Sequence, residues 1–183
     1  MNEKKRELLN ALVEELEQDD DLEQTSLFTE QELGTPGDVV RTLINDVGPE
    51  LISVLGEFFF MPYKDEEVLY FATAITLSEE IPEESREELE TTAARINTMI
   101  PCGCFATGLA GDRLIYRYTA PFLSKQDTAE QKVLMLTAVS AAMNTVERFT
   151  GYFTLAASGK MNADEVMKLA SGDPDAETQS DKE

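Results

Sequence analysis

Leu8, Leu9, Leu12, Val13 and Leu16 recur at the spacing of one helical face, with charged residues between them, and predict an amphipathic helix over residues 4–17. The next stretch, QDDDLEQTSLFTEQELGTPG, loses that period. Every charged residue in it is acidic, and Gly34, Pro36 and Gly37 interrupt any regular pattern. It is expected to be a linker, or an arm that orders only against something else.

From residue 39 the chain becomes rich in β-branched and aromatic residues. VVRTLIN (39–45), LISVLGEFFFMP (51–62) and VLYFATAITLS (68–78), separated by DVGPE and YKDEE, read as three consecutive antiparallel strands, although VVRTLIN could also close a short helix. Helical spacing returns in IPEESREELETTAARINTMIP at Leu89, Ala93, Ile96 and Ile100, behind Pro82 in the first turn and up to Pro101. GCFATGLA (103–110) and RLIYRYTAP (113–121) form a hairpin about Gly111 and Asp112. A last long helix opens at Asp127, with Glu130 as capping-box partner, and runs through Leu136, Val139, Met143, Val146 and Phe149 toward Gly159. NADEVMKLA (162–170) adds a short helix.

The order α-β-β-β-α-β-β-α makes this an α+β protein: a five-stranded antiparallel sheet with helices packed mainly on one face. The expected divisions are an N-terminal amphipathic helix over 1–17, an acidic linker or arm over 18–37, an α+β domain over 38–160, and a short helix with a disordered acidic tail over 161–183.

Alternation sorts the strand residues by face. Ile52, Val54, Phe58 and Phe60 lie with Leu69, Phe71, Ile75 and Leu77 on a core side, while the opposite side still carries Leu51, Leu55, Phe59, Val68 and Tyr70. That is more apolar surface than a sheet with one wet face needs. Either the N-terminal helix covers it, or a second subunit or a partner does. Leu12 and Leu16 of that helix join the five strand residues as candidate partner-binding residues. In the later hairpin, Phe105, Thr107 and Leu109 alternate against Cys102, Cys104 and Ala106, and Leu114, Tyr116 and Tyr118 against Ile115, Arg117 and Thr119. The bulky set should face the helices.

Composition narrows the functional classes. Apolar residues make up 42% of the chain, and no apolar run approaches the roughly 18 residues that span a bilayer. The first helix is broken by acids and so does not read as a signal peptide, which points to a cytoplasmic location. A net charge of −21, from 36 acids against 15 bases, disfavours nucleic acid and anionic membranes. It suits basic protein partners, divalent cations or plain solubility, the last being the commonest reason for such a surface.

Little in the chain points to catalysis. There is no histidine, and both cysteines lie in PCGC. On a regular strand Cys102 and Cys104 would share a face with Cα atoms about 6.6 Å apart, at the edge of what a disulfide accepts, so a bridge needs a local bend. The pair reads first as two small buried residues, then as a thiol switch. Two thiolates without histidine make a poor zinc site. DDDLEQTSLFTE mimics a calcium loop at Asp19, Asp21, Glu23 and Glu30 but puts Gln24 where the sharp turn needs glycine. The pairs Glu79/Glu80 and Glu87/Glu88 are neighbours near or on a helix, normal for solvated residues. No catalytic residue, metal or cofactor is expected.

ARINTMIPCGCFATGLAGDRLIYRYTAP resembles the centre of the YbjN-like domain family, in a region of similarity covering roughly residues 51–159. There a helix ending in a Leu-Asn or Ile-Asn pair leads to a Gly-aromatic strand, a Gly-Asp turn and a strand with a Tyr-Arg pair before a proline. Ile96 and Asn97, Gly103 and Phe105, Gly111 and Asp112, then Tyr116, Arg117 and Pro121 are the matching residues. The resemblance implies the fold of the type III secretion chaperones and a non-catalytic, bacterial, protein-binding or chaperone-like domain that often pairs with itself as a homodimer. The family has no agreed catalytic residue, and this chain departs from it in its acidic linker and its cysteine pair. The alternative function is a cytoplasmic thiol redox sensor using Cys102 and Cys104.

Overall fold

The computed structural model describes residues 3–63, 67–108 and 111–172. The expected acidic tail from 173, Leu109 and part of the YKDEE connection lie outside the described residues. The elements run α1 (Glu3–Leu16), β1 (Leu22–Phe28), α2 (Glu30–Leu33), β2 (Val39–Val47), β3 (Ile52–Phe60), β4 (Val68–Ser78), α3 (Glu83–Ile96), β5 (Cys104–Thr107), β6 (Leu114–Leu123), α4 (Thr128–Ala157) and α5 (Ala163–Ala170). VVRTLIN is thus a strand rather than the end of a helix.

The sheet has six strands, not five, in the order β1-β2-β3-β4-β6-β5, and all hydrogen-bonded neighbours are antiparallel. The additional strand comes from the segment expected as a linker, and it orders against the chain's own β2. Leu27 and Phe28 pair with Val40 and Val39, and the register slips between Glu23 and Ser26, where Gln24 takes φ 54°. That bulge breaks the two-residue alternation by which a strand is recognised. Thr25 is fastened to Thr42 hydroxyl to hydroxyl at 2.7 Å.

After β4 the chain crosses over through α3 to the far edge, and β6 returns between β4 and β5. β5 pairs only with Leu114 to Arg117, so the later part of β6 has a free edge, where Pro121 can sit without a missing ladder donor.

One core holds the molecule together. Val40, Ile44, Val54, Phe58, Phe60, Leu69, Phe71 and Ile75 from the strands meet Leu8, Leu9, Leu12 and Leu16 of α1, Leu89, Ala93 and Ile96 of α3, and Met135, Val139, Val146, Phe149 and Phe153 of α4. Ile52 and Leu77 reach this core only half-buried, lining a shallow apolar cleft of about 100 Å³ with Leu89 and Phe153. Leu8, Leu9 and Leu12 are fully buried, each stabilising the fold by about 1.5–3 kcal/mol. Polar ties set the docking of α1: Lys4 Nζ donates to the Ser124 carbonyl at 2.7 Å, and Arg6 pairs with the buried Asp38 at 3.5 Å. Asp127 caps α4 by accepting from the Ala129 N–H. Glu88, one of the carboxylates read as solvated, accepts from the Ala163 N–H at the start of α5.

Candidate protein-binding face

Because α1, α3 and α4 all feed the same core, they lie on one side of the sheet, and the first helix does not cover the second face. Leu12 and Leu16 are buried in that core, so they are corrected from partner-binding residues to packing residues and lie across the sheet from the others. Leu51 also leaves the group. It sits at the β2–β3 turn with φ 51° and is 65% exposed, outside the regular strand register.

The remaining four do share a face. Leu55, Phe59, Val68 and Tyr70 are half-buried, as are Phe28, Leu43 and Ile115, and none of them packs against the core. The pairing register aligns them into rows across the strands. Val39, Phe59, Ala72 and Thr119 form one row; Arg41, Glu57, Ala74, Arg117 and Cys104 the next; Leu43, Leu55, Thr76, Ile115 and Ala106 a third. Val68 pairs with Leu123, which is 58% exposed, and Tyr70 meets Tyr63 edge-on at 5.3 Å. Half-buried aromatic and branched side chains are therefore left on this side, around Val39, Ala72 and Thr76, which are buried.

The middle row carries the charge. Arg41 Nε lies 2.8 Å and Nη2 2.7 Å from the same oxygen, Oε1, of Glu57, and the Arg41 guanidinium also stands 5.7 Å from the Phe28 ring centre. Among the described residues the exposed Arg117 has no ion-pair partner. The pattern rules pick out apolar positions, so they passed over this row. A Glu and two Arg recurring inside otherwise apolar strands was the available signal.

The cysteines belong to the same neighbourhood. Cys104 is exposed and pairs with Arg117 at the sheet edge, Cys102 is half-buried, and both are free thiols. The expectation that both are buried is thus corrected: Cys104 lies on an edge strand, and Cys102 lies in the bend before it, outside the regular strand. Gly103 between them takes φ 71°, supplying a bend that a regular strand lacks. A side chain there would fall 2.5 Å from Tyr116 Cζ and 2.8 Å from the Arg117 carbonyl oxygen, so only glycine fits. Tyr116 donates its hydroxyl to the Cys102 carbonyl at 2.9 Å, and burial pushes its phenol up to about 12.

The residues that carry the family resemblance make this same knot. Ile96 is buried, Asn97 bonds the backbone of Phe105, and Phe105 meets Tyr116 at a tilt of 58° with ring centres 5.0 Å apart. Gly111 packs over the Arg86 guanidinium. Their role is to join α3 to the second half of the sheet. Among the described residues no group of three carboxylates or thiols is placed to hold a metal ion, and no helix is long and apolar enough to cross a membrane.

Comparison with protein-family models, with curated proteins and with solved structures gives no match for this chain.

Proposed function

We propose that the chain is a non-catalytic, chaperone-like protein-binding domain of the YbjN-like kind, which engages a protein partner or a second copy through the open face of its sheet. One observation carries the reading: α1, α3 and α4 feed the core from one side, while Leu43, Leu55, Phe59, Tyr70 and Ile115 stay half-exposed on the other. An apolar sheet face of this kind gains free energy only when something covers it. The N-terminal helix no longer belongs to the binding surface, since its apolar side is spent on the core. The acidic surface elsewhere keeps the free protein dispersed and steers basic segments of a partner.

Affinity capture from a native lysate, using the wild-type chain and a Leu55→Ser/Phe59→Ser variant as bait, tests this. Proteins retained by the first and lost by the second support the face. Identical capture by both, with the two baits also alike in self-association by light scattering, would refute it.

Gly103 favours a second reading, a thiol sensor, because it bends the chain between two accessible cysteines. Oxidation by a peroxide would form one S–S bond from the two thiols, reducing the peroxide to water or alcohol. Thiol titration of the folded protein before and after peroxide decides it: loss of two thiols per chain supports the sensor, and unchanged thiols remove it.

A further inference from the structure

We propose that the cleft beside Ile52 and Leu77 binds a short aliphatic primary amine, with the apolar chain of the ligand against Phe153 and its ammonium at Glu80. The cleft lies on the helix side, where α3 and α4 meet the start of β3 and the end of β4. It is across the sheet from the open face and independent of what that face binds.

Its shape comes first. Ile52, Leu77, Ile81, Leu89, Leu114 and Phe153 give it apolar walls around about 100 Å³. A cavity of about 150 Å³ with a similar lining accommodates benzene, so this one suits a chain of about four or five carbons. The walls are held in place by contacts within the chain. Glu147 Oε2 accepts from the Gly48 N–H at 2.8 Å, and a side chain on Gly151 would fall 2.7 Å from the Pro49 ring, so the β2–β3 turn is seated closely on α4. Ser85 Oγ donates to the Ala157 carbonyl at 3.1 Å and joins α3 to α4. A preformed cleft loses little free energy in ordering itself round a small ligand.

The polar chemistry then selects the head group. Ser78 Oγ donates to the Glu80 carbonyl at 2.8 Å and accepts from the Glu80 N–H, the Ile81 N–H goes to the Asp112 carbonyl at 2.8 Å, and Pro82 has no N–H. Thr150 and Thr154 give their hydroxyl protons to the carbonyls of Val146 and Thr150. These donors are all engaged. Glu80, the one charged residue of the lining, is exposed and has no ion pair among the described residues. An ammonium brings three donors and no acceptor, the inverse of that wall, and with a pKa of about 10 it stays charged at neutral pH. A carboxylate would meet Glu80 with like charge and find no donor. The flanking segments carry the same sign: Glu50, Glu79, Glu83 and Glu84 are exposed beside the lining residues, against Arg86, which lies under Gly111, and Arg113.

Titration of the methyl-labelled full chain with isoamylamine, followed by proton–carbon correlation spectra, is the test, with isoamyl alcohol and isocaproate as neutral and anionic controls. The amine is expected to shift the methyl signals of Ile52, Leu77, Ile81 and Leu89 saturably below about 10 mM, the alcohol to bind at least about threefold more weakly, and the carboxylate to have no effect. Glu80→Gln changes an exposed side chain and is expected to weaken the amine about threefold while leaving the alcohol unchanged. Methyl signals elsewhere report whether that variant keeps its fold. Nuclear Overhauser contacts from the ligand methyls to Phe153 place the ligand without any variant. No saturable shift with the amine, an alcohol that binds as well as the amine, an amine indifferent to Glu80→Gln, or contacts that fall on another surface would each overturn the assignment.

Discussion

Asn97 closes both polar groups of the Phe105 backbone: its Oδ1 accepts from the Phe105 N–H at 2.8 Å, and its Nδ2 donates to the Phe105 carbonyl at 2.9 Å. One side chain at the end of α3 thus substitutes for the ladder partner that β5, an edge strand, lacks on that side. Asn97→Ala is expected to cost about 1–3 kcal/mol, because two backbone groups lose their partner together. Asn97→Asp keeps the acceptor and loses the donor, and should fall between. Urea unfolding of the three proteins checks the order.

Gly103→Ala should be among the more damaging single-methyl additions in the chain. It meets a left-handed backbone and the Tyr116 ring together, and each problem is worth about 1–3 kcal/mol. Tyr116→Phe in the same chain removes the hydroxyl but leaves the ring Cζ and the Arg117 carbonyl in the way, so rescue should be slight. A double-mutant cycle on melting temperature measures that coupling.

Tyr116 also gives a pH signature. Its phenol is raised, so the folded state holds the proton more tightly than the unfolded chain. The stability this supplies is fully present below the ordinary tyrosine range near about 10 and is lost as pH rises through about 12. A tyrosinate absorbance step near about pH 12, accompanied by loss of stability and absent from Tyr116→Phe, is the expected result.

Phe58 and Phe59 are neighbours with opposite fates. Phe58 is fully buried against the helices and Phe59 is half-buried on the open face. Phe58→Ala should cost about 3–5 kcal/mol, and Phe59→Ala about 1 kcal/mol or less in the monomer. Thermal unfolding at low protein concentration separates them.

These contrasts mark how far the sequence could be read. The alternation of Phe58, Phe59 and Phe60 assigned each ring to its side before any fold was known, since successive strand side chains must leave opposite faces. Helical spacing likewise located α1, α3 and α4. β1 escaped because Gln24 bulges, and one extra residue destroys the two-residue period on which strand recognition depends. Leu12 and Leu16 were correctly seen as one apolar stripe and assigned to the wrong surface, because a stripe records that burial is needed without saying against what.

The sequence by itself determined the periods, and with them which side chains travel together. Which side of the sheet receives the helices, and which strands become neighbours, were decided by tertiary structure. Arg117 lies about sixty residues from Glu57 along the chain, and only the return of β6 beside β4 brings both into one row. Local pattern acts within an element, whereas a row across a sheet is created by pairing between distant segments.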